Sequence, residues 1–422
     1  MFTFRIFVLC FLIFTGFVYA QYTGSETSLD FSQHQLVRYH CSNMDQVEKI
    51  MQICDKLALD VHASSHHAVD ILLHEKHIEA IGAYADLTEI MLEDIETSIH
   101  QQKKASSRDD GFFSSYHTYD EINEWLEKIE QQYPQITSQV TIGHSVEGRP
   151  IKGIIIGSSR NGTNPGIFYN SLQHAREWIS GATTTYIINQ LVSGYGKNET
   201  VTAMVDNIEW TIIPVANPDG YNYTWTTNRM WRKNRRHNGG AFDCYGVDNN
   251  RNWGFEWNVG GASNNPCVGT YAGPFAFSEP EDKALADYAS NNQNLRAYID
   301  FHAYSQLWMD PWAYTDKNEG KTPAYDQQES LASEIASAIF KVHGKTYETG
   351  PAASVIYVAS GSSMDFTYGQ DGITYSYAVE LRDKGRYGFL LPPEEIIPQG
   401  QEIWAGVEVM AKRVIQDAQN EY

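Results

Sequence analysis

His174 and Glu177 stand three residues apart, a spacing that puts both on one face of a helix or turn, within reach of one ion. Among 14 histidines about one such pair arises by chance. A second is present, His144–Glu147, and so are two His-x-x-Asp pairs, His67–Asp70 and His117–Asp120. Context separates them. His144-Ser-Val-Glu-Gly-Arg-Pro150 is bounded by Gly and Pro and reads as a solvated turn. His174-Ala-Arg-Glu177 follows the strand-like run 167–170 and opens a helix, where open α/β sheets bind ligands. His302 ends a second strand-like run, from Arg296, and offers a third ligand. Two His and one Glu with an open fourth position is the donor set of catalytic zinc. On these residues alone, two surface histidines and a core histidine remain an open alternative.

Other residue types could also do chemistry. Glu380 is the only acid in Tyr375-Ser-Tyr-Ala-Val-Glu-Leu381, and a carboxylate in a buried strand is costly unless paired. It reads either as a general base with a raised pKa or as half of a salt bridge with Arg382. Arg229-Met-Trp-Arg-Lys-Asn-Arg-Arg236 holds five cations, and reads as a solvated loop or as the source of an Arg aimed at an anion. Asn249-Asn-Arg-Asn-Trp253, preceded by Asp248, adds Arg251, whose fork suits a carboxylate. His62, His66, His67, His74 and His77, with Asp70 or Glu75, read as a solvated polar face rather than a metal site.

These residues need a scaffold. The chain has 422 residues, 42% of them apolar, which fits one large and one small globular domain. A net charge of −21 argues against nucleic acid as a partner, since an acidic chain gains nothing from neutralising phosphates. Residues 1–20 carry one charge, Arg5, an apolar run and a small residue at Ala20, the layout of a signal peptide cleaved after Ala20. No later run is long enough to span a membrane, so no membrane contact is expected after cleavage. Cys41, Cys54, Cys244 and Cys267 remain, read as two disulfides with three possible pairings, of which near-neighbour pairing is the simplest. Sequons stand at Asn161, Asn198 and Asn222.

Residues 21–108 read as a small α+β unit: strands near 35–40, 69–73 and 87–92, and a helix at Met44–Leu57. The polar stretch 101–111 reads as an exposed linker cleavable after Arg108, with Lys103–Lys104 as a second cut. Residues 109–422 alternate strands and helices. Helices are expected at 119–132, 177–191, 279–291 and 393–416, and strands at 151–156, 166–170, 209–215, 296–302 and 375–381. Asn217-Pro-Asp-Gly220 reads as a turn. The fold class is α/β: a mixed, twisted central sheet covered by helices on both faces, preceded by the small α+β domain.

Taken together, the residues resemble the zinc metallocarboxypeptidases of the pancreatic carboxypeptidase A/B type. The motifs are His-x-x-Glu, Trp-Arg-Lys, Asn-Arg-Asn-Trp, His-x-Tyr-Ser-Gln, Ile-Tyr-x-Ala-Ser-Gly and Glu-Leu-Arg-Asp, in family order over nearly the whole chain. The resemblance implies one zinc ion held by His174, Glu177 and His302, with Asp248 orienting a ligand histidine. It implies Glu380 as the base acting on zinc-bound water, and Arg232 as the group that stabilises the oxyanion. Asn250 and Arg251 would clamp the substrate's terminal carboxylate, Tyr357 would close over it, and Arg176 would contact substrate further out. A Cys244–Cys267 disulfide is implied too. The pocket floor aligns at Met364, with walls Ala313, Ala352 and Ala359, which implies release of C-terminal aromatic or large aliphatic residues. Asp300, aligned beside the pocket, would admit basic residues if it faced inward, and Asp371 aligns as a one-residue insertion. The expected protein is a secreted zymogen, activated by a trypsin-like protease at Arg108, monomeric and digestive, acting on peptide C-termini. The alternatives are B-like specificity for C-terminal Lys or Arg, and an inactive homologue that binds peptides without cutting them.

Overall fold

The structure, a computed structural model, describes residues 29–105, 111–159, 162–240 and 243–420. The leader, the cut at Arg108 and Asn161 lie outside the described residues.

The N-terminal part is a four-stranded antiparallel sheet in the order β2-β3-β1-β4. Its strands are β1 (His34–His40), β2 (Asp60–Ser64), β3 (Ala68–His74) and β4 (Leu87–Leu92). Helix α1 (Met44–Leu57) buries Val47, Ile50 and Cys54 on one face of this sheet, as its spacing predicts, and Asn43 caps it by accepting from Gln46 N. Helix α2 (Ile95–Ala105) covers part of the other face. The linker expected from Gln101 therefore starts later, because residues 101–105 continue α2. Cys41 and Cys54 both enter this small core as unbonded, buried thiols, so the two-disulfide reading is corrected to one bridge. That bridge is Cys244–Cys267, with Cα atoms 5.2 Å apart.

The larger part is an eight-stranded mixed sheet in the order β11-β10-β12-β9-β7-β8-β6-β5. In chain order its elements are α3 (Tyr119–Gln132), β5 (Thr137–His144), β6 (Pro150–Ile156), β7 (Gly166–Ser171), α4 (Trp178–Gly194), α5 (Glu199–Asn207), β8 (Glu209–Ile213) and α6 (Pro218–Thr226). Then follow α7 (Pro280–Asn291), β9 (Leu295–Ala303), β10 (Leu307–Asp310), α8 (Tyr325–His343), β11 (Glu348–Pro351), α9 (Ser363–Gly369), β12 (Tyr375–Leu381) and α10 (Ile396–Asn420). The central strands β12, β9, β7 and β8 run parallel to one another. They are buried on both faces, which explains their apolar runs. Ile167, Tyr169, Ile299 and Phe301 pack towards α3, α4, α8 and α10, while Phe168 and Tyr298 pack towards α7 and α9.

The expected turn at Asn217 is instead the start of α6. Asn217 Oδ1 accepts from Gly220 N, and Pro218 takes the first helical position, where a missing N–H costs nothing. The two parts meet through Leu36, Leu72, Ile95 and Ile99 of the first against Met230 and Leu390 of the second. Asp70 pairs with Arg38 at 2.7 Å and accepts from Tyr304 Oη at 2.7 Å.

Candidate active site

Parallel pairing brings the carboxyl ends of β7, β9 and β12 side by side. Past the end of β7 the chain turns through Leu172, held at φ 56°, and enters the segment carrying His174 and Glu177 ahead of α4. His302 lies at the end of β9. Glu380 on β12 is its register partner, so the two side chains stand next to each other.

His174 Nδ1 is 2.9 Å from Glu177 Oε1, His302 Nδ1 is 3.0 Å from Glu177 Oε2, and the two Nδ1 atoms are 3.0 Å apart. Each histidine turns its other nitrogen to a carboxylate. His174 Nε2 is 2.9 Å from Asp248 Oδ1, and His302 Nε2 is 2.7 Å from Asp300 Oδ2. An ionised carboxylate only accepts, so each Nε2 carries the proton and each Nδ1 presents a lone pair. Two nitrogen lone pairs and a carboxylate therefore converge with no donor proton among them. These atoms all lie within 4.8 Å of one another. Only a cation, or a further proton on one of these groups, resolves that convergence. Burial opposes a charged His302, but Asp300 and Glu177 outweigh it and hold its pKa well above the ordinary value. The donor set fits zinc. Among the described residues it is the only group of three or more His, Cys, Asp or Glu so placed.

The other candidate pairs do not assemble. His144 ends β5 in solvent while Glu147 bonds Arg149, His117 stacks on Phe112, and Asp70 is taken by Arg38. The cationic run is not a solvated loop either. Arg229 lies buried over the Trp178 ring and donates to Gln102 Oε1 and to the carbonyls of Arg176 and Phe389. Arg235 packs against Tyr223, Trp231 and Tyr245.

Arg232 donates through Nε and Nη2 to Asp248 Oδ2, at 3.2 and 2.9 Å, and its Nη1 is 3.9 Å from Glu177 Oε1. Burial would lower its pKa, but Asp248 and Glu177 raise it, so it is a fixed cation at the rim of the metal group. Glu380 makes no salt bridge with Arg382, which bonds Glu395 and Glu402 instead. Its Oε2 is buried and accepts no hydrogen bond, and burial followed by the nearby Glu177 charge pushes its pKa well above the usual carboxylate range. Arg251 donates to the carbonyls of Asn250 and Gly261 and, at 3.3 Å, to Tyr357 Oη. Asn250 Oδ1 accepts from Ser363 N, and its Nδ2 lies 3.1 Å from His302 Nε2.

One cleft gathers these groups, lined among others by His174, Glu177, Arg232, Arg251, His302 and Glu380. Its inner end is apolar: Leu307, Met309, Ala313, Ala352, Ala359, Met364 and Ala378 pack as one cluster. Arg176 is not in its lining. Its Nη1 is 2.7 Å from Asp60 Oδ1, and its Nη2 donates to Val61 O. His62, Ala63 and Ser64, from β2, line the cleft mouth, and the space left is about 90 Å³.

Asp300 does not face this cleft. It is fully buried, accepting from Asn170, Gln173 and Ser363 as well as His302. Its function as the carboxylate behind His302 is one that sequence reasoning missed. The signal was available, since residues i and i+2 share a face of a strand. Asp365, next to the floor, is also turned away: it accepts from the N–H groups of Ala313 and Tyr314 and so fixes a pocket wall. Asp371 sits in the turn between α9 and β12, accepting from Ser290, and leaves the β12 register intact. Asp60 had no local signal, and His62, read from the sequence as part of a solvated polar face, instead has its side chain buried beside Asp60, its Nε2 3.0 Å from Asp60 Oδ2.

A family profile described as zinc carboxypeptidase matches residues 122–406. Carboxypeptidase A1 of Rattus norvegicus is 38% identical over 395 residues, covering 89% of this chain and 92% of that protein. Carboxypeptidase B of Astacus astacus is 43% identical over 306 residues, covering 72% and 98%. The crystal structure of the carboxypeptidase A from Helicoverpa armigera superposes with a TM-score of 0.82 at 28% identity, covering 91% and 98%.

Proposed function

This chain belongs to the zinc carboxypeptidase family, and from that premise we propose that it is a secreted zymogen whose mature form removes aromatic or large aliphatic residues from peptide C-termini. The observation that carries the specificity is the pocket. Met364 forms its floor, alanines form its walls, and the only acids in the cleft lining are Glu177 and Glu380, both beside the metal group. A Lys or Arg side chain entering there would bury its charge without a partner. The relative from Astacus astacus carries the name carboxypeptidase B, and this floor argues against carrying that specificity over.

His174, Glu177 and His302 would hold the zinc, with Asp248 and Asp300 fixing the two imidazoles. Bound zinc supplies a Lewis acid that polarises a carbonyl and acidifies water. Glu380, with an unengaged oxygen and a raised pKa, takes the proton of the attacking water and returns it to the leaving amine. Arg232 stands 3.9 Å from a ligand oxygen and offers its charge to the oxyanion as it develops. Arg251, Asn250 and Tyr357 receive the terminal carboxylate, so an internal peptide bond has nothing to anchor it.

Residues 1–20 are the leader, 21–108 the activation segment and 109–422 the catalytic part, a monomer with no nucleic-acid or membrane partner after leader removal. No described helix is long and apolar enough to cross a membrane. The zymogen reading is supported by β2. Its residues 62–64 fill the cleft mouth, and Asp60 neutralises Arg176, which a substrate would otherwise meet. A trypsin-like protease cutting at Arg108 would free the segment.

The test is turnover of blocked dipeptides ending in Phe or Arg, before and after limited trypsin treatment, with and without a zinc chelator. Chelator-sensitive release of Phe only after trypsin is expected. Preferential release of Arg overturns the pocket argument. Full activity before trypsin overturns the zymogen. Zinc binding without turnover of either substrate favours a peptide-binding homologue.

A further inference from the structure

The two sequons among the described residues differ in what the fold does with them. Asn222 lies inside α6, half-buried, and Thr224 of its sequon is buried, donating to Tyr221 O and accepting from Trp178 Nε1. Asn198-Glu-Thr200 is different: all three residues are exposed. Asn198 is the N-cap of α5, and its Oδ1 accepts from Val201 N at 3.1 Å. That bond fixes the amide and leaves Nδ2 outside the helix, with no hydrogen bond to spend. N-glycosylation replaces one Nδ2 hydrogen and keeps Oδ1 as an acceptor, so cap and glycan are compatible.

The surface beside this acceptor is uncovered. A groove of about 790 Å³ runs between α5, α8 and α10, with Met204, Ala338, Val409 and Ile415 in its floor and Lys341 and Lys412 among its polar residues. Glu199 and Thr200, the two residues that follow Asn198, belong to its edge. Open apolar grooves of this kind are normally covered. A sugar chain rooted at that edge has the mixed chemistry for this one: pyranose C–H faces for the floor, and hydroxyls for the charged side chains.

We propose that Asn198 carries an N-linked oligosaccharide whose inner sugars lie in the groove between α5, α8 and α10. The proposal rests on the secreted reading above. The two are separated by expressing the full chain in insect cells behind its own first 20 residues and, in parallel, behind a leader of known function. Absence from the medium with its own leader but not with the other counts against the leader alone. Protein from either medium is then treated with a peptide amidase that converts a glycosylated Asn to Asp, and residue 198 is read by peptide mass.

Conversion at Asn198 is expected, with loss of one oligosaccharide mass in Thr200→Ala and its retention in Thr200→Ser. Both variants keep the Asn198 cap, so folding is not at issue. An unmodified Asn198 in secreted protein, or modification at Asn222 instead, overturns the assignment. For the groove, hydrogen exchange of the α8 and α10 segments that line it should rise when the sugar is enzymatically trimmed. Unchanged exchange, or a dimer that covers these helices whether or not the sugar is present, overturns the placement.

Discussion

The metal group and the side-chain pocket share one cleft and are built on opposite terms. Around the metal group nearly every polar atom is committed: two ligand nitrogens backed by Asp248 and Asp300, and Arg232 anchored on Asp248. At the apolar end no side chain is committed to a polar partner, because Leu307, Met309, Met364 and the alanines around them have none to offer. The first is specified by charge, where one lost partner leaves another buried and unpaired. The second is specified by volume, where a substitution changes fit without orphaning anything. Catalysis should therefore be brittle here and specificity adjustable.

Glu380→Gln gives the largest break. kcat should fall by about 10²–10⁴-fold with zinc content unchanged by metal analysis. The pH profile sharpens the point. As a base Glu380 would act only when ionised, and its burial, which bound zinc would not relieve, raises its pKa, so kcat/KM should fall on acidification from above the ordinary value of 4.5. A raised carboxyl pKa also means that the folded state binds more protons than the unfolded one, so its cost grows as pH rises past 4.5. Metal-free Glu380→Gln should therefore melt higher than metal-free wild type at neutral pH, and an equal or lower melting temperature would contradict the shift.

Asp60→Asn comes next. It leaves Arg176 buried without its counter-charge, at a cost of about 3–5 kcal/mol to docking of the N-terminal sheet. Uncleaved protein should gain activity on small substrates, and an inactive, trypsin-activatable variant would show that Asp60 does not hold the N-terminal sheet over the cleft. Asp60 is held below the ordinary carboxylate range despite burial, chiefly by Arg176. Docking strength is thus present above the free value of about 3.9 and lost as pH falls below it.

Asp300→Asn should weaken zinc affinity about 10–100-fold by competition with a chelator, leaving the Phe-over-Arg preference intact. Ala352→Ile is the mildest change. It narrows the pocket and should lower kcat/KM for C-terminal Trp or Phe about 10-fold relative to Leu, without moving zinc affinity. If zinc affinity did move, the separation between the charge-built and volume-built regions would fail.

The sequence displayed the brittle region better than the structural detail around it. His174, Glu177 and His302 were legible as a group because ligand spacing and strand ends are local patterns, whereas Glu380 stood out as a lone acid in an apolar strand but could not be told there from half of a salt bridge with Arg382. Asp300 was visible as a residue but its orientation was left open, since its alignment beside the pocket does not say which way the side chain faces. Asp60 was invisible, because its partner Arg176 lies 116 residues away. In the fold, the two-sided central strands were readable from their apolar runs. Helix α8 was not, and α6 hid behind Asn217-Pro-Asp-Gly220, since the chemistry that starts a helix also makes a turn. Cys41 and Cys54 behaved as small core residues, which an even cysteine count cannot distinguish from a bridge.

Ser363 joins the two regions. Its hydroxyl donates to Asp300 behind His302, its N–H donates to Asn250, and the next residue is Met364. The hydroxyl that braces Asp300 and the side chain proposed to stop the incoming residue are thus mounted one residue apart on the same short helix. Under the proposed specificity, the distance from bond to floor would be a fixed gauge. Repeated cuts along a peptide would each be measured against it, and the gauge length can be altered by changing the side chain at 364 but not by moving its mount.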